Sequence, residues 1–252
     1  MKILLTIEYD GTDFCGWQIQ PDKRTVQGVL SDALSQVFKR PVTLIGSGRT
    51  DSGVHAFAQK AHFEIESLGS EFPIKRLPLA VNTKLPSDVC VKDATIVPDD
   101  FEAQFSAKKK TYVYSFYLSR LHRPMTDRYV AHVKFDENKF DLREAEKVLE
   151  AIKGTHDFAA FSSSGSTVKT TERTIYEARC SREPNGVFRL EITGNGFLYN
   201  MVRIIAGTFV EVGLSMRPFS DVLDALKTGN RLKCGKTMPP CGLTLQNVIY
   251  DE

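Results

Sequence analysis

The chain has 252 residues, 42% of them hydrophobic and 25% charged, with a formal net charge of +2. That suits one large domain or two ordinary ones, needs no staples, and announces no nucleic acid by global basicity. The five cysteines are odd in number and fit no zinc spacing, Cys234 and Cys241 having no nearby His, so no metal site is expected there, and free thiols in a reducing, cytoplasmic compartment are expected.

The N-terminal MKILLTIEYDG alternates at Ile3, Leu5, Ile7 and Tyr9 and predicts a strand; its apolar run is too short for a signal peptide. No run approaches transmembrane length. Residues Val26 to Phe38 carry apolar side chains at helical spacing, with Thr25 as the N-cap. Val42 to Ile45 reads as a short strand, and Phe57 to Ile65 as another, with Phe57, Ala61, Phe63 and Ile65 on one face. Leu68 to Asp88, rich in Pro and charge, reads as loops with a short helix, and Val89 to Val97 as a strand. Thr111 to Leu118 places Tyr112, Tyr114 and Phe116 on one strand face. Asp141 and Glu144 form a capping-box pattern ahead of a helix that Gly154 ends. Strands follow near Thr174–Ser181 and Val187–Thr193, then helices from about Tyr199 to Val212 and Ser220 to Lys227. The polar stretch Pro98–Ala107 suggests a division into residues 1–104 and 105–252.

Between the second and third strands lies GSGRTDSGVHAFAQ, Gly46 to Gln59. Asp51 is the only acid between Ala33 and Glu64, and it stands near Arg49 among small turn-forming residues. The loop is not a phosphate-binding P-loop, because Val54 and His55 stand where Lys and Ser/Thr are required, and Asp51 replaces the third glycine of a dinucleotide pattern. His55 could be catalytic, although a lone His is more often a structural hydrogen-bonder. No second acid offers a glycosidase pair.

Three stretches carry cations and no acids: Ala33–Thr50 with Lys39, Arg40 and Arg49, Ala103–Thr126 with Lys108, Lys109, Lys110, Arg120 and Arg123, and Ala225–Tyr250 with Lys227, Arg231, Lys233 and Lys236. Such segregation points to a one-sided basic surface, or else to ordinary solvated faces. In GNGFLYNMVRIIAGTFVEVG, Gly194 to Gly213, the only charge between Phe197 and Val210 is Arg203. A helix apolar nearly all round is buried. Its guanidinium then needs a carboxylate or phosphate, since an unpartnered buried charge costs several kcal/mol. Asp51 is the best candidate by sequence; Arg203 could instead reach solvent or pair with Glu211.

Four separated segments resemble the tRNA pseudouridine synthase A family. They are YDGTDFCGWQIQP with RTVQGVLSDAL, GSGRTDSGVHAFAQ, FSAKKKTYVYSF, and the Gly194–Gly213 helix; HDFAAF, His156 to Phe161, matches as well. The resemblance implies an α+β pseudouridine synthase fold of two domains, with mixed, mostly antiparallel sheets flanked by helices and an active-site cleft between the domains. It implies isomerisation of uridine to pseudouridine in the tRNA anticodon stem-loop, at positions 38, 39 and 40, by a homodimer using no cofactor and no metal. Carried over by residue, Asp51 is the nucleophile and Arg203 its ion-pair partner. Tyr112 stacks on the target base, Arg49 holds the displaced nucleotide, and Leu198 lines the base pocket. Lys108, Lys109 and Lys110 would meet phosphates. Glu102 and Gln104 depart from the His and Arg that relatives commonly carry, which puts one RNA contact in doubt.

The chemistry wants these residues. Isomerisation breaks the N1–C1′ bond and joins C5 to C1′, so it needs no oxidant or group donor. A carboxylate can add to C1′, add to C6, or remove the C2′ proton, and the sequence leaves all three open. A target uridine leaves its stack at a cost of a few kcal/mol, and an aromatic face recovers about 1–3 kcal/mol. The competing readings are a tRNA-binding or tRNA-folding module without chemistry, and a nucleoside hydrolase that frees uracil.

Overall fold

The computed structural model describes residues 1–66, 73–163, 165 and 169–250. Two compact units emerge: Met1–Lys108 with Leu245–Glu252, and Lys109–Thr244. A linear division at residue 104 cannot represent the return of the last strand to the first unit. Residues 67–72 of the Pro-rich stretch lie outside the described residues.

The first unit is built on β1 (Lys2–Tyr9), β3 (His55–Glu64), β4 (Val89–Val97) and the late β10 (Leu243–Ile249), in the order β4-β1-β3-β10. β1 is antiparallel to both neighbours, with Leu5 opposite Ala61 and Ala94. The alternation predicted for β1 holds: Ile3, Leu5 and Ile7 are fully buried. Helix α1 (Val26–Phe38) begins where Thr25 Oγ1 accepts the Gly28 N–H at 3.3 Å, and it buries Val26, Leu30, Ala33 and Leu34. The short α2 (Leu77–Asn82) buries Leu77, Pro78 and Val81.

Two expectations need correction here. The strand predicted over 42–45 shrinks to β2 (Ile45–Gly46). Side chains of α1 claim its backbone instead: Val42 N–H donates to Ser35 Oγ and Leu44 C=O accepts from Gln27 Nε2. On β3, Phe57 is 46% exposed while Gln59 is fully buried. An amide fills the interior there because it must bond the adjoining loop.

In the second unit, β5 (Lys109–Leu118) pairs antiparallel with β9 (Val187–Gly194), which pairs with β8 (Glu172–Arg182), and that with β7 (Gly154–Asp157). The short β6 (Ala131–Val133) adds to β5 in parallel. Tyr114 and Phe116 are buried as their alternation predicts. Phe116 stacks on Phe188 at 5.1 Å and meets Phe209 edge-on, so aromatic contacts tie the sheet to its helices. Helix α3 (Leu142–Ala151) starts at Asp141, whose carboxylate accepts the Glu144 N–H at 3.1 Å. Helix α4 (Met201–Gly213) is buried along its length, apart from half-buried Arg203 and Glu211. Helix α5 (Ser220–Thr228) ends at Gly229 in the left-handed region, φ +70°.

The fold is therefore α+β with mostly antiparallel strands and five α-helices among the described residues. Among them, no helix is long and apolar enough to cross a membrane.

Candidate active site

Asp51 sits half-buried in the loop between β2 and β3, and the residues on either side of it are pinned. Before it, Thr50 C=O accepts the Trp17 N–H at 3.0 Å, and Thr50 Oγ1 bonds the buried Tyr9 hydroxyl at 2.7 Å. After it, Ser52 Oγ and Gly53 N–H both donate to Phe14 C=O, at 3.1 and 3.3 Å. Val54 N–H closes a turn onto Asp51 C=O at 3.2 Å. At the loop's base, Ser47 Oγ donates to Gln59 Oε1 and Gln59 Nε2 donates to Gly48 C=O. The main chain that carries Asp51 is therefore held on both sides.

The segment doing the pinning is the glycine-bearing stretch after β1. A Cβ on Gly11 would lie 1.9 Å from Val54 O, and one on Gly16 would lie 2.8 Å from Thr50 O. Only glycine permits approach this close, and Gly16 also has φ +88°. The segment and the loop form one packed unit of structure.

His55 serves that structure. It is buried, and its Nδ1 accepts the Gly11 N–H at 3.1 Å, with Asp10 Oδ1 3.2 Å away. The imidazole thus ties β1's end and the start of the glycine-bearing stretch to the base of β3. Burial pushes the Tyr9 hydroxyl well above the usual tyrosine range, so it stays a neutral partner for Thr50. Arg49, within the same loop, is exposed.

Tyr112, Leu198 and Arg203 belong to the second unit, where one short segment joins them. The half-buried Tyr112 ring meets Phe197 edge-on at 5.1 Å. Leu198 is buried, and its N–H faces Met201 Sδ at 3.5 Å. Farther along, in the first turn of α4, Arg203 Nε donates to Met238 C=O at 2.7 Å and NH1 donates to Asn200 Oδ1 at 2.6 Å. Glu211, the alternative partner by sequence, is engaged by Arg217 at 3.1 Å and by the Lys236 N–H at 2.9 Å. Asn200 carries no signal of its own in the sequence. Its position three residues before an arginine, ahead of a helix, reads as an ordinary cap, yet its side chain makes no cap bond.

The lysine run divides. Lys108 is exposed in the first unit. Lys109 lies 5.5 Å from the centre of the Tyr176 ring. Lys110, opposite Gly194 in the sheet, is half-buried, and burial aided by the Arg173 charge pushes its pKa down to about 8. Segments poor in acids along the chain are not so in space. Arg40 pairs with Glu66, Arg120 with Asp136, and Lys233 with Asp221. Those three cations have acids beside them, which narrows the basic surface expected from sequence.

Glu102, one of the two departures, also has an internal use. It accepts from Lys2 Nζ at 2.7 Å and lies 3.6 Å from His62 Nε2. The Lys2 bond holds its carboxyl below the usual range. Gln104 is exposed.

Among known proteins, the family described as tRNA pseudouridine synthase matches residues 5–106 and 148–251. A tRNA pseudouridine synthase A of Caldicellulosiruptor saccharolyticus is 46% identical over 249 residues, which cover 99% of each chain. One from Bacillus subtilis (strain 168) is 43% identical over 254 residues and covers the whole of both.

Proposed function

The chain belongs to the tRNA pseudouridine synthase family, and from that premise we propose that it isomerises uridine to pseudouridine in the anticodon stem-loop of tRNA, at positions 38, 39 and 40, with Asp51 as the nucleophile. The reaction breaks N1–C1′ and forms C5–C1′. The C5 hydrogen leaves as a proton and N1 gains one, so atoms and electrons balance without a co-reactant.

Arg203 is the ion-pair partner of Asp51 in this reading. A guanidinium favours the charged form of a carboxylate and fixes its direction. Tyr112 stacks on the extruded base, and Leu198 lines the pocket that receives it. Arg49 holds the displaced nucleotide, and Lys108, Lys109 and Lys110 meet phosphates. The protein works as a homodimer in the cytoplasm, where its five cysteines remain thiols.

The observation that carries the reading is the pinned loop. Asp51 stands on a backbone whose neighbours Thr50 and Ser52 are each held by hydrogen bonds, as a residue that must meet a reacting atom requires. Tritium release from tRNA labelled at uridine C5 tests it. Wild-type protein releases tritium with product mass unchanged. Asp51→Asn abolishes release while leaving tRNA binding within about threefold. No release by wild type, or free uracil among the products, refutes the proposal.

A further inference from the structure

We infer that Asn200 is a positioning residue for Arg203, aiming its guanidinium and tying that aim to the chain at Ser163. The inference rests on the role proposed for Arg203.

The observations are a chain of hydrogen bonds in the second unit. Arg203 NH1 donates to Asn200 Oδ1 at 2.6 Å, and Asn200 Nδ2 donates to Ser163 Oγ at 2.9 Å. Ser163 N–H in turn donates to Tyr199 C=O at 3.1 Å. On the other side, Arg203 Nε donates to Met238 C=O at 2.7 Å, and Met238 N–H returns a bond to Arg203 C=O at 3.2 Å. The neighbouring Pro239 C=O accepts the buried Tyr114 hydroxyl at 2.8 Å. A guanidinium is planar, so bonds at Nε and NH1 fix both its plane and its rotation, and with them the direction of its NH2 edge.

Asn suits this place for two reasons. Its backbone is left-handed, φ 62° and ψ 5°, a conformation that Asn tolerates better than most non-glycine residues. Its amide has one workable orientation. The oxygen must face the guanidinium, because the reversed amide would set donor against donor. The NH2 group is then turned to the Ser163 hydroxyl. An asparagine at a helix start commonly caps the first turn with its side chain. Here the side chain makes no cap bond, so it is committed to Arg203 and Ser163.

Asn200→Gly keeps the left-handed backbone and removes the amide. Single-turnover pseudouridine formation, measured from acid to neutral pH, should slow about tenfold to hundredfold. tRNA binding should stay within about twofold and Tm within a few degrees. The acid limb of the pH–rate profile should move up, because a misdirected guanidinium no longer holds Asp51 ionised. A purely structural role would lower Tm and leave that limb in place. Ser163→Ala should give a smaller loss of the same kind. Asn200→Asp keeps an acceptor for both partners but offsets the charge of Arg203, so it too should raise the acid limb. This variant keeps the inference testable if Asn200→Gly does not fold. A wild-type rate and acid limb in Asn200→Gly, or in Asn200→Asp, overturns the inference. Arg203→Ala and Asp51→Asn are run in parallel. If Asp51→Asn is inactive and Asn200→Gly normal, only the positioning role falls; if Asp51→Asn is active, the proposed function falls and the inference with it.

Discussion

Substituting Gly11 by Ala tests whether the segment after β1 sets the position of the Asp51 loop. The new Cβ would lie 1.9 Å from Val54 O and 2.6 Å from Val54 C. Ordinary carbon–oxygen contact begins near about 3.3 Å, so about 1.4 Å of separation must be found. Both contacted atoms are backbone, three residues after Asp51, and the Gly11 N–H is itself bonded to His55. No side chain can swing aside, so the loop must move. Overpacking of this kind costs about 1–3 kcal/mol, and a displacement near 1 Å at a reacting group costs on the order of a hundredfold in rate. Single-turnover conversion of unmodified tRNA should therefore fall about hundredfold, while tRNA affinity falls much less, because Lys108, Lys109 and Lys110 lie outside this loop and only Arg49 moves with it. The loss in rate should exceed what the fall in Tm accounts for at a temperature where the variant is folded. A variant that folds and retains activity within about threefold of wild type would refute the claim that this contact places the loop.

Tyr9→Phe removes the hydroxyl that bonds Thr50 Oγ1 in the interior; it should cost about 1–3 kcal/mol, visible as a lower Tm, and slow the reaction through the neighbouring Asp51. Lys110 has a folded pKa of about 8, lowered first by burial. The unfolded chain therefore holds more protons between about 8 and the ordinary lysine value of 10.5, and stability should rise with pH across that window. Denaturant melts of Lys110→Met should lose the rise. His62, likewise lowered mainly by burial and faced by Glu102, Lys2 and Glu64, is neutral when folded. Stability should then fall as pH drops below about 6.5. His62→Asn, which can keep an acceptor for the Ala103 N–H, should flatten that acid-side decline.

Helices were legible where local chemistry decides them. Thr25 and Asp141 cap as their residue types predict, and the apolar circumference of α4 is matched by its burial. β6, β7 and β10 were not read. The first two are three and four residues long, and LTLQNVI loses its alternation at the adjacent Gln246 and Asn247, within a stretch read only for its cations. Their pairing is decided by partners distant in sequence, which periodicity cannot see. The same limit applies to Phe57 and Gln59, where a loop's demand for hydrogen bonds outweighed hydropathy. At the candidate site, the lone acid and the lone arginine stood out because each breaks its local pattern. Asn200 did not, since its left-handed backbone and forward-reaching side chain have no signature in residue type.

The last strand has a consequence for synthesis. β10 lies next to β3, the strand that leaves the Asp51 loop, although the second unit, Lys109–Thr244, is made between them. The opening unit therefore cannot complete its sheet during synthesis until the ribosome has made the intervening unit, and a message that stops ahead of β10 yields a protein lacking a rib of its opening unit.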